Sequence, residues 1–254
     1  MERMVSSSSP HSTKQEVLTG WRIALPACVA YVPLGLALGV LIVQTGFSWW
    51  WAPILSAFVY AGSMEFLLVG MLAVAAPFSQ IAASAFLINF RHVFYALSFP
   101  LHRLRGTLAK AYATYALTDE AYALTTDPQA AQWSQARIMT IVTTLHLTWI
   151  LSVTAGAGLG LLIPPGIVGL DFAVTALFVV LGIEAFRARP SLPVPITAII
   201  CALAARVVSR ENMLILAMGF FVVCLTASFT ARRVQERHKK SSSPTSSNRG
   251  EINA

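Results

Sequence analysis

Three polar islands interrupt apolar sequence in this chain, and each carries residue types that bind or move charge. The first, Asn89-Phe-Arg-His-Val-Phe-Tyr95, closes an apolar run that begins near Pro77. A charge near a bilayer centre costs roughly 2.5–3.5 kcal/mol on insertion scales, so Arg91 and His92 need a partner or a polar cavity there. On a helix Arg91 and Tyr95 are four apart, His92 and Tyr95 three apart, and both pairs share a face. The Arg91 guanidinium is a planar fork of donors suited to a carboxylate, whether that of Glu65, Asp119 or a ligand. An imidazole such as His92 titrates near neutral pH and can shuttle a proton. The competing reading is that both side chains snorkel to the membrane surface, because Pro100, His102, Arg103 and Arg105 follow.

The second island is Tyr60-Ala-Gly-Ser-Met-Glu-Phe66. Glu65 lies well inside an apolar run, where a carboxyl group is stable as a neutral acid bonded between helices, or as an anion beside a cation. Ala61, Gly62 and Ser63 suit an unwound or closely packed helix, and Tyr60 and Ser63 supply hydroxyls. The third island, Ala116-Leu-Thr-Asp-Glu-Ala-Tyr122, places two acids side by side. Adjacent residues on a helix point about 100° apart, so Asp119, which shares a face with Tyr115 and Tyr122, suits a polar cavity. Glu120 then suits a loop or a second partner. The plainer reading is a solvated helix start, capped by Thr118 with acids in the first turn.

No nucleophile elbow, zinc, haem or nucleotide motif occurs, and no cofactor is expected. Cys28, Cys201 and Cys224 lie far apart in apolar runs and read as small hydrophobic residues rather than a disulfide framework. His146, alone in TTLHLTW, reads as a hydrogen-bonded packing residue.

The elements that must position these islands are membrane helices. Of the 254 residues, 56% are hydrophobic and 11% charged, against about 25% charged in soluble domains. The net charge of +7 is concentrated at membrane-flanking positions and is no nucleic-acid signature. Apolar stretches at about 23–43, 51–75, 78–98, 138–163, 172–186, 193–208 and 212–231 approach the ~20 residues a span needs, and 108–126 is a weaker eighth. The expected fold is therefore all-α, a polytopic membrane protein of seven to eight transmembrane helices, some broken or short. Residues 1–19 are expected as a disordered cytoplasmic tail, 20–231 as the transmembrane domain, and 232–254 as a basic, then serine-rich tail. Arg232, Arg233, Arg237, Lys239 and Lys240 place the C-terminus in the cytoplasm by the positive-inside rule. Arg3, Lys14 and Arg22 do the same for the N-terminus, which requires an even number of crossings, eight or six with one re-entrant segment; with eight, however, Arg103 and Arg105 fall outside. Trp49–Trp51 reads as an aromatic belt on the other face. Pro26 and Pro33, each lacking a backbone donor, mark helix breaks together with Gly62, and Gly35 and Gly39 permit close helix contact.

With YVPLGLALG at 31–39, GFS at 46–48, YAGSMEF at 60–66, RHVFY at 91–95 and LTDEAYA at 117–123, in that order and spacing, the chain resembles the large subunit of the AzlC family over about residues 20–230. That resemblance implies a bacterial inner-membrane exporter of branched-chain amino acids (valine, leucine, isoleucine) or methionine. It also implies a small hydrophobic partner of the AzlD family. The chain departs from the family at Glu65, a position that is often glutamine, so a titratable acid takes the place of a neutral amide.

The combined expectation is efflux of an apolar amino acid driven by protons, with alternating access around a midplane site. Arg91 binds the substrate carboxylate, Asp119 or Glu65 the ammonium or a coupling proton, and Tyr60, Ser63 and Tyr95 orient the substrate. His92 and Glu120 complete the proton-handling set. The alternatives are a non-transporting membrane scaffold, or a membrane-embedded enzyme using His92 and Asp119 as acid–base groups.

Overall fold

The computed structural model describes residues 12–126, 130, 132–164, 179, 182, 183, 186, 192–210 and 212–241. The described residues form an all-α membrane protein with no strand among them. Three helices are long and apolar enough to cross a bilayer, Thr13–Gln44, Gln135–Leu162 and Met213–Thr230, and two shorter apolar ones are Gly62–Ala73 and Pro193–Val208. The chain divides into two compact units, Met1–Val180 and Leu181–Ala254. The expected stretch 172–186 lies almost wholly outside the described residues.

The first unit is built on two helices, α1 (Thr13–Gln44) and α8 (Gln135–Leu162). Their contacts advance together: Gly20 meets Arg137 and Thr140, Gly35 meets Ser152, Gly39 meets Val153 and Ala157, and Gly160 meets Val40 and Val43. The two helices therefore run parallel. A glycine at each close approach lets the backbones touch, the small-residue packing that holds helices together where lipid supplies no hydrophobic drive. At one end Arg137 Nη2 donates to Glu16 Oε1 at 2.6 Å. At the other, Gln44 Nε2 donates to the Gly160 carbonyl at 2.9 Å.

Two expectations about α1 are corrected. The helix begins at Thr13, inside the stretch 1–19 expected as a disordered tail, because the Ser12 carbonyl accepts from the Gln15 and Glu16 amides and Glu16 is held by α8. It also runs through Pro26 and Pro33 without a break. Each proline forfeits one i→i−4 bond, but the glycine seam against α8 fixes the path on both sides. The break comes instead in the next apolar stretch, which forms α2 (Trp51–Phe58) and α3 (Gly62–Ala73). Between them Tyr60 takes φ 42°, a backbone region costly for a side chain of its size, and Gly62 opens α3. The stretch 78–98 also divides, into α4 (Phe78–Asn89) and α5 (Arg91–Ser98).

The stretch 108–126 does not cross. It forms α6 (Thr107–Tyr115) and α7 (Asp119–Thr125), of 9 and 7 residues, roughly 13 and 10 Å long at 1.5 Å per residue against a core of about 30 Å. Its two ends meet. Ahead of α6, Arg103 donates to the Gln132 and Trp133 carbonyls at 2.8 and 3.0 Å, and the Arg105 amide donates to Gln135 Oε1 at 2.9 Å. Its middle reaches inward, where the Tyr112 hydroxyl bonds His146 Nδ1 at 3.0 Å, about 16 Å along α8 from Gln135. The pair α6–α7 is thus re-entrant: it enters and leaves at the end carrying Glu16 and Arg137, with its turn near mid-depth. This placement removes the conflict over Arg103 and Arg105, which sit at the same end as Lys14 and Arg137. Trp50 and Trp51, stacked at 4.7 Å, follow the opposite end of α1.

The second unit pairs α9 (Pro193–Val208) with α10 (Met213–Ser241). Cys201 Sγ and Cys224 Sγ lie 4.0 Å apart as free thiols. The helix α10 continues to Ser241, past the expected start of a disordered tail at 232. The last residues of both tails lie outside the described ones.

Candidate functional site

Two interrupted helices, α2–α3 and α6–α7, meet at mid-depth against α1 and α8, and the polar islands gather around their interruptions. A continuous helix spends its carbonyls internally; an interruption frees them. Tyr115, at the end of α6, donates its hydroxyl to the Ala57 carbonyl near the end of α2. The side chain of one interrupted helix thereby satisfies the backbone of the other.

The helix α5 and the start of α7 form a half-exposed ion-pair cluster. Arg91 Nη2 lies 3.0 Å from Asp119 Oδ2, both side chains about 45% exposed. The Tyr95 hydroxyl donates to Asp119 Oδ1 at 2.8 Å, so both oxygens of the carboxylate are engaged. The rings of Tyr95 and Tyr122 stack at 4.3 Å. Arg91 and Tyr95 do share a face, and their carboxylate partner is Asp119, not Glu65. His92 lies beside Tyr95, ring centroids 5.4 Å apart. Its Nδ1 is 3.0 Å from the Asn89 carbonyl, which accepts only from an N–H, so Nδ1 carries the proton. That carbonyl is open to it because the Val93 amide bonds Phe90 instead.

Asp119 and Glu120 diverge, as adjacent helical positions must. Glu120 turns to α1, where the Tyr31 hydroxyl donates to Oε2 at 2.6 Å and lies 3.0 Å from Thr118 Oγ1. The Tyr31 proton goes to Glu120, so the Thr118 hydroxyl donates to Tyr31. Thr118 Oγ1 also accepts from the Ala121 amide, the capping role read from sequence. Tyr115 does not share a face with Asp119, because the turn at 116–118 separates their helices.

Glu65 is fully buried. Its Oε2 accepts from Trp149 Nε1 at 2.8 Å, and among the described residues it joins no ion pair. Ser63 is half-buried in the first turn of α3. Tyr60 is buried with its ring 4.2 Å from that of His146, and Tyr112 and Tyr115 flank the same imidazole at 5.8 Å. His146, read from sequence as a packing residue, is the hub of this aromatic group. Tyr31, Tyr112 and Trp149 escaped sequence reading as well. The available signal was on α8, where His146, Trp149, Ser152 and Gly156 recur at three- and four-residue spacing. No group of ligating residues among those described suits a metal ion.

The family model for the AzlC protein matches residues 26–163. The chain belongs to the AzlC family. That match spans α1 from Pro26 onward, all of α8 and every residue of both polar clusters, while the first part of α1, with Glu16 and Gly20, and the second unit of this AzlC-family chain lie outside it. The inner membrane protein YgaZ of Escherichia coli is 30% identical over 224 residues, covering 84% of the chain and 90% of the relative. The branched-chain amino acid transport protein AzlC of Bacillus subtilis is 33% identical over 163 residues, 63% of the chain and 64% of the relative. An uncharacterised membrane protein of Helicobacter pylori is 30% identical over 179 residues, 68% of the chain and 78% of the relative. No solved structure matches.

Proposed function

We propose that this AzlC-family chain carries branched-chain or similar apolar amino acids, methionine included, out of the cell. In this reading it works with a small AzlD-type subunit, and inward proton movement drives it. The observation that carries the reading is the meeting of two interrupted helices at mid-depth in an apolar, glycine-locked frame. Polar atoms at membrane depth are tolerated where they line a path or a site, and broken helices facing one another form such sites in secondary transporters. The basic end, with Lys14, Arg103, Arg105 and Arg137, faces the cytoplasm on the positive-inside rule. Arg91 and Asp119 then serve as the capture point: a substrate carboxylate competes with Asp119 for the guanidinium, and the substrate ammonium takes Asp119. Tyr95 holds Asp119 in place through this exchange, and the His92 imidazole beside it belongs to the same layer.

The test is counterflow of labelled valine in proteoliposomes holding the purified chain, with and without a co-purified short hydrophobic subunit. Exchange above protein-free vesicles supports the reading, and Arg91→Ala lowers it. Valine and leucine efflux left intact by Arg91→Ala, in cells lacking other exporters, rules out the role of Arg91.

A further inference from the structure

Around the interruption between α2 and α3, three buried polar atoms make no well-formed hydrogen bond, the Tyr60 hydroxyl, Glu65 Oε1 and His146 Nε2; their nearest polar neighbours are the Tyr31 and Thr118 hydroxyls for Tyr60, the Ala61 backbone for Glu65 and the Ser56 and Ala57 backbone for His146, all poorly aligned. The three residues are only 4%, 0% and 7% exposed. An unpaired buried donor or acceptor costs about 1–3 kcal/mol, so three at one place are a large charge on a membrane domain. They belong together. Tyr60 and His146 are ring to ring at 4.2 Å. Trp149, one turn beyond His146 on α8, bonds the other oxygen of Glu65, and a Cβ on Gly62 would lie 3.2 Å from its ring.

The hydrogen-bond inventory says what would satisfy them. Tyr112 is bonded to His146 Nδ1, and with its hydroxyl as donor the neutral ring carries its proton on Nε2. His146 Nε2 and the Tyr60 hydroxyl are then two neighbouring donors, which suit a carboxylate. Glu65 Oε1 is an acceptor, or the seat of a proton, and suits an ammonium. Trp149 and Tyr31, edge to face at 5.3 Å, offer apolar surface beside them. Two donors for a carboxylate and an acid for an ammonium are the complement of a zwitterionic α-amino acid.

We propose that Tyr60, Glu65 and His146 form an occluded site for the transported amino acid, distinct from Arg91–Asp119, and that Glu65 holds in turn a proton and the substrate ammonium. This rests on the amino-acid transport reading above. A bare carboxylate at this depth is the costly state, so Glu65 is paired with one or the other. On binding, the neutral carboxyl releases its proton to solvent and the carboxylate pairs with the ammonium; on release the proton returns. One proton therefore exchanges for one amino acid. The ionisable neighbours among the described residues are phenols, the imidazole itself and one carboxyl group: Tyr115 from α6 toward Glu65, Tyr112 from α6 and Tyr60 toward His146, and Tyr31 with the carboxyl of Glu120 toward Tyr60. No cation is among them. Entry requires the re-entrant pair α6–α7 to move, because Tyr112 and Tyr115 close over His146.

The test uses the purified full chain with any co-purifying subunit. It reads leucine affinity by competition, and protons released per leucine bound in weak buffer. The wild type releases about one proton per leucine. Glu65→Gln binds leucine more weakly and releases none. Tyr60→Phe and His146→Gln release the proton but bind leucine about tenfold more weakly, each having lost one hydrogen bond to a charged group. Unchanged proton release in Glu65→Gln, or wild-type leucine affinity in both Tyr60→Phe and His146→Gln, overturns the site while leaving the transport reading intact. A wild-type protein that neither binds nor exchanges any amino acid overturns both. Should Glu65→Gln fail to assemble, the near-isosteric Tyr60→Phe carries the test.

Discussion

Replacing Gly39 by alanine tests the frame on which everything else hangs. A Cβ at Gly39 would lie 2.0 Å from the Val153 carbonyl oxygen and 2.4 Å from the Ala157 amide nitrogen. Ordinary contact begins near 3.4 Å, so α1 and α8 must part locally by about an ångström or more. These atoms are backbone and cannot swing aside. A gap of 0.5–1 Å forfeits roughly a quarter to a half of each dispersion contact along the seam, and overpacking of a well-packed core typically costs about 1–3 kcal/mol. Gly39→Ala is therefore expected to lose about 2–3 kcal/mol. Gly156→Ala, whose Cβ would lie 2.2 Å from the Leu36 carbonyl oxygen, is expected to lose the same. The double variant should lose less than the sum, because one separation relieves both clashes. Gly158→Ala is the internal control: it is on the same helix, exposed, with nothing within 4 Å of its Cβ. It should be neutral or slightly stabilising, since alanine is the better helix former. The assay is thermal or denaturant unfolding in detergent, read by size-exclusion. If Gly39→Ala and Gly158→Ala unfold together, the parallel glycine seam is wrong.

Four further outcomes are expected. Glu16→Gln should destabilise by about 2 kcal/mol in the same assay, because it leaves the mostly buried Arg137 guanidinium without its charged acceptor. Asp119→Asn should change stability by less than about 1 kcal/mol, the range for exposed ion pairs, yet lower counterflow strongly; a large stability loss with unchanged counterflow would reverse that assignment. Tyr31→Phe should cost about 1–3 kcal/mol, read as a shift of the unfolding midpoint, because Glu120 loses its donor in a half-buried setting. Cysteines at Thr107 and Gln132 should react with an impermeant maleimide from the same side of the membrane, whereas labelling from opposite sides would show that α6–α7 crosses after all.

What the sequence disclosed followed from residue spacing within one helix. Arg91 and Tyr95 were legible as one face because four residues make a turn, and Asp119 and Glu120 as divergent because neighbours do not. The long helices were legible because apolar length is a direct signal. Partners between helices were not legible: Glu65 goes to Trp149 and Glu120 to Tyr31, and no local rule links positions more than eighty residues apart. Pro26 and Pro33 misled because a proline removes one bond, while the outcome depends on whether neighbouring packing holds the helix straight. His146 was undervalued for a similar reason, since its aromatic neighbours come from α6 and the α2–α3 break. The re-entrant path of 108–126 was hidden because composition reports how apolar a stretch is, not which face it returns to.

The contacts at the two ends of the parallel frame fix a parity. The chain leaves α1 beside Gly160, at the far face, and is next anchored at Arg103 against Trp133, at the basic face. Between opposite faces a path can pass through the membrane only an odd number of times. Yet residues 51–98 contain two interrupted apolar stretches, each of nearly spanning length, and two complete passages would return the chain to the wrong face. The two stretches therefore differ in how they meet the bilayer: on this parity α2–α3 and α4–α5 do not both pass through it. Which of them passes through decides the face on which the α3–α4 connection at Ala76 emerges.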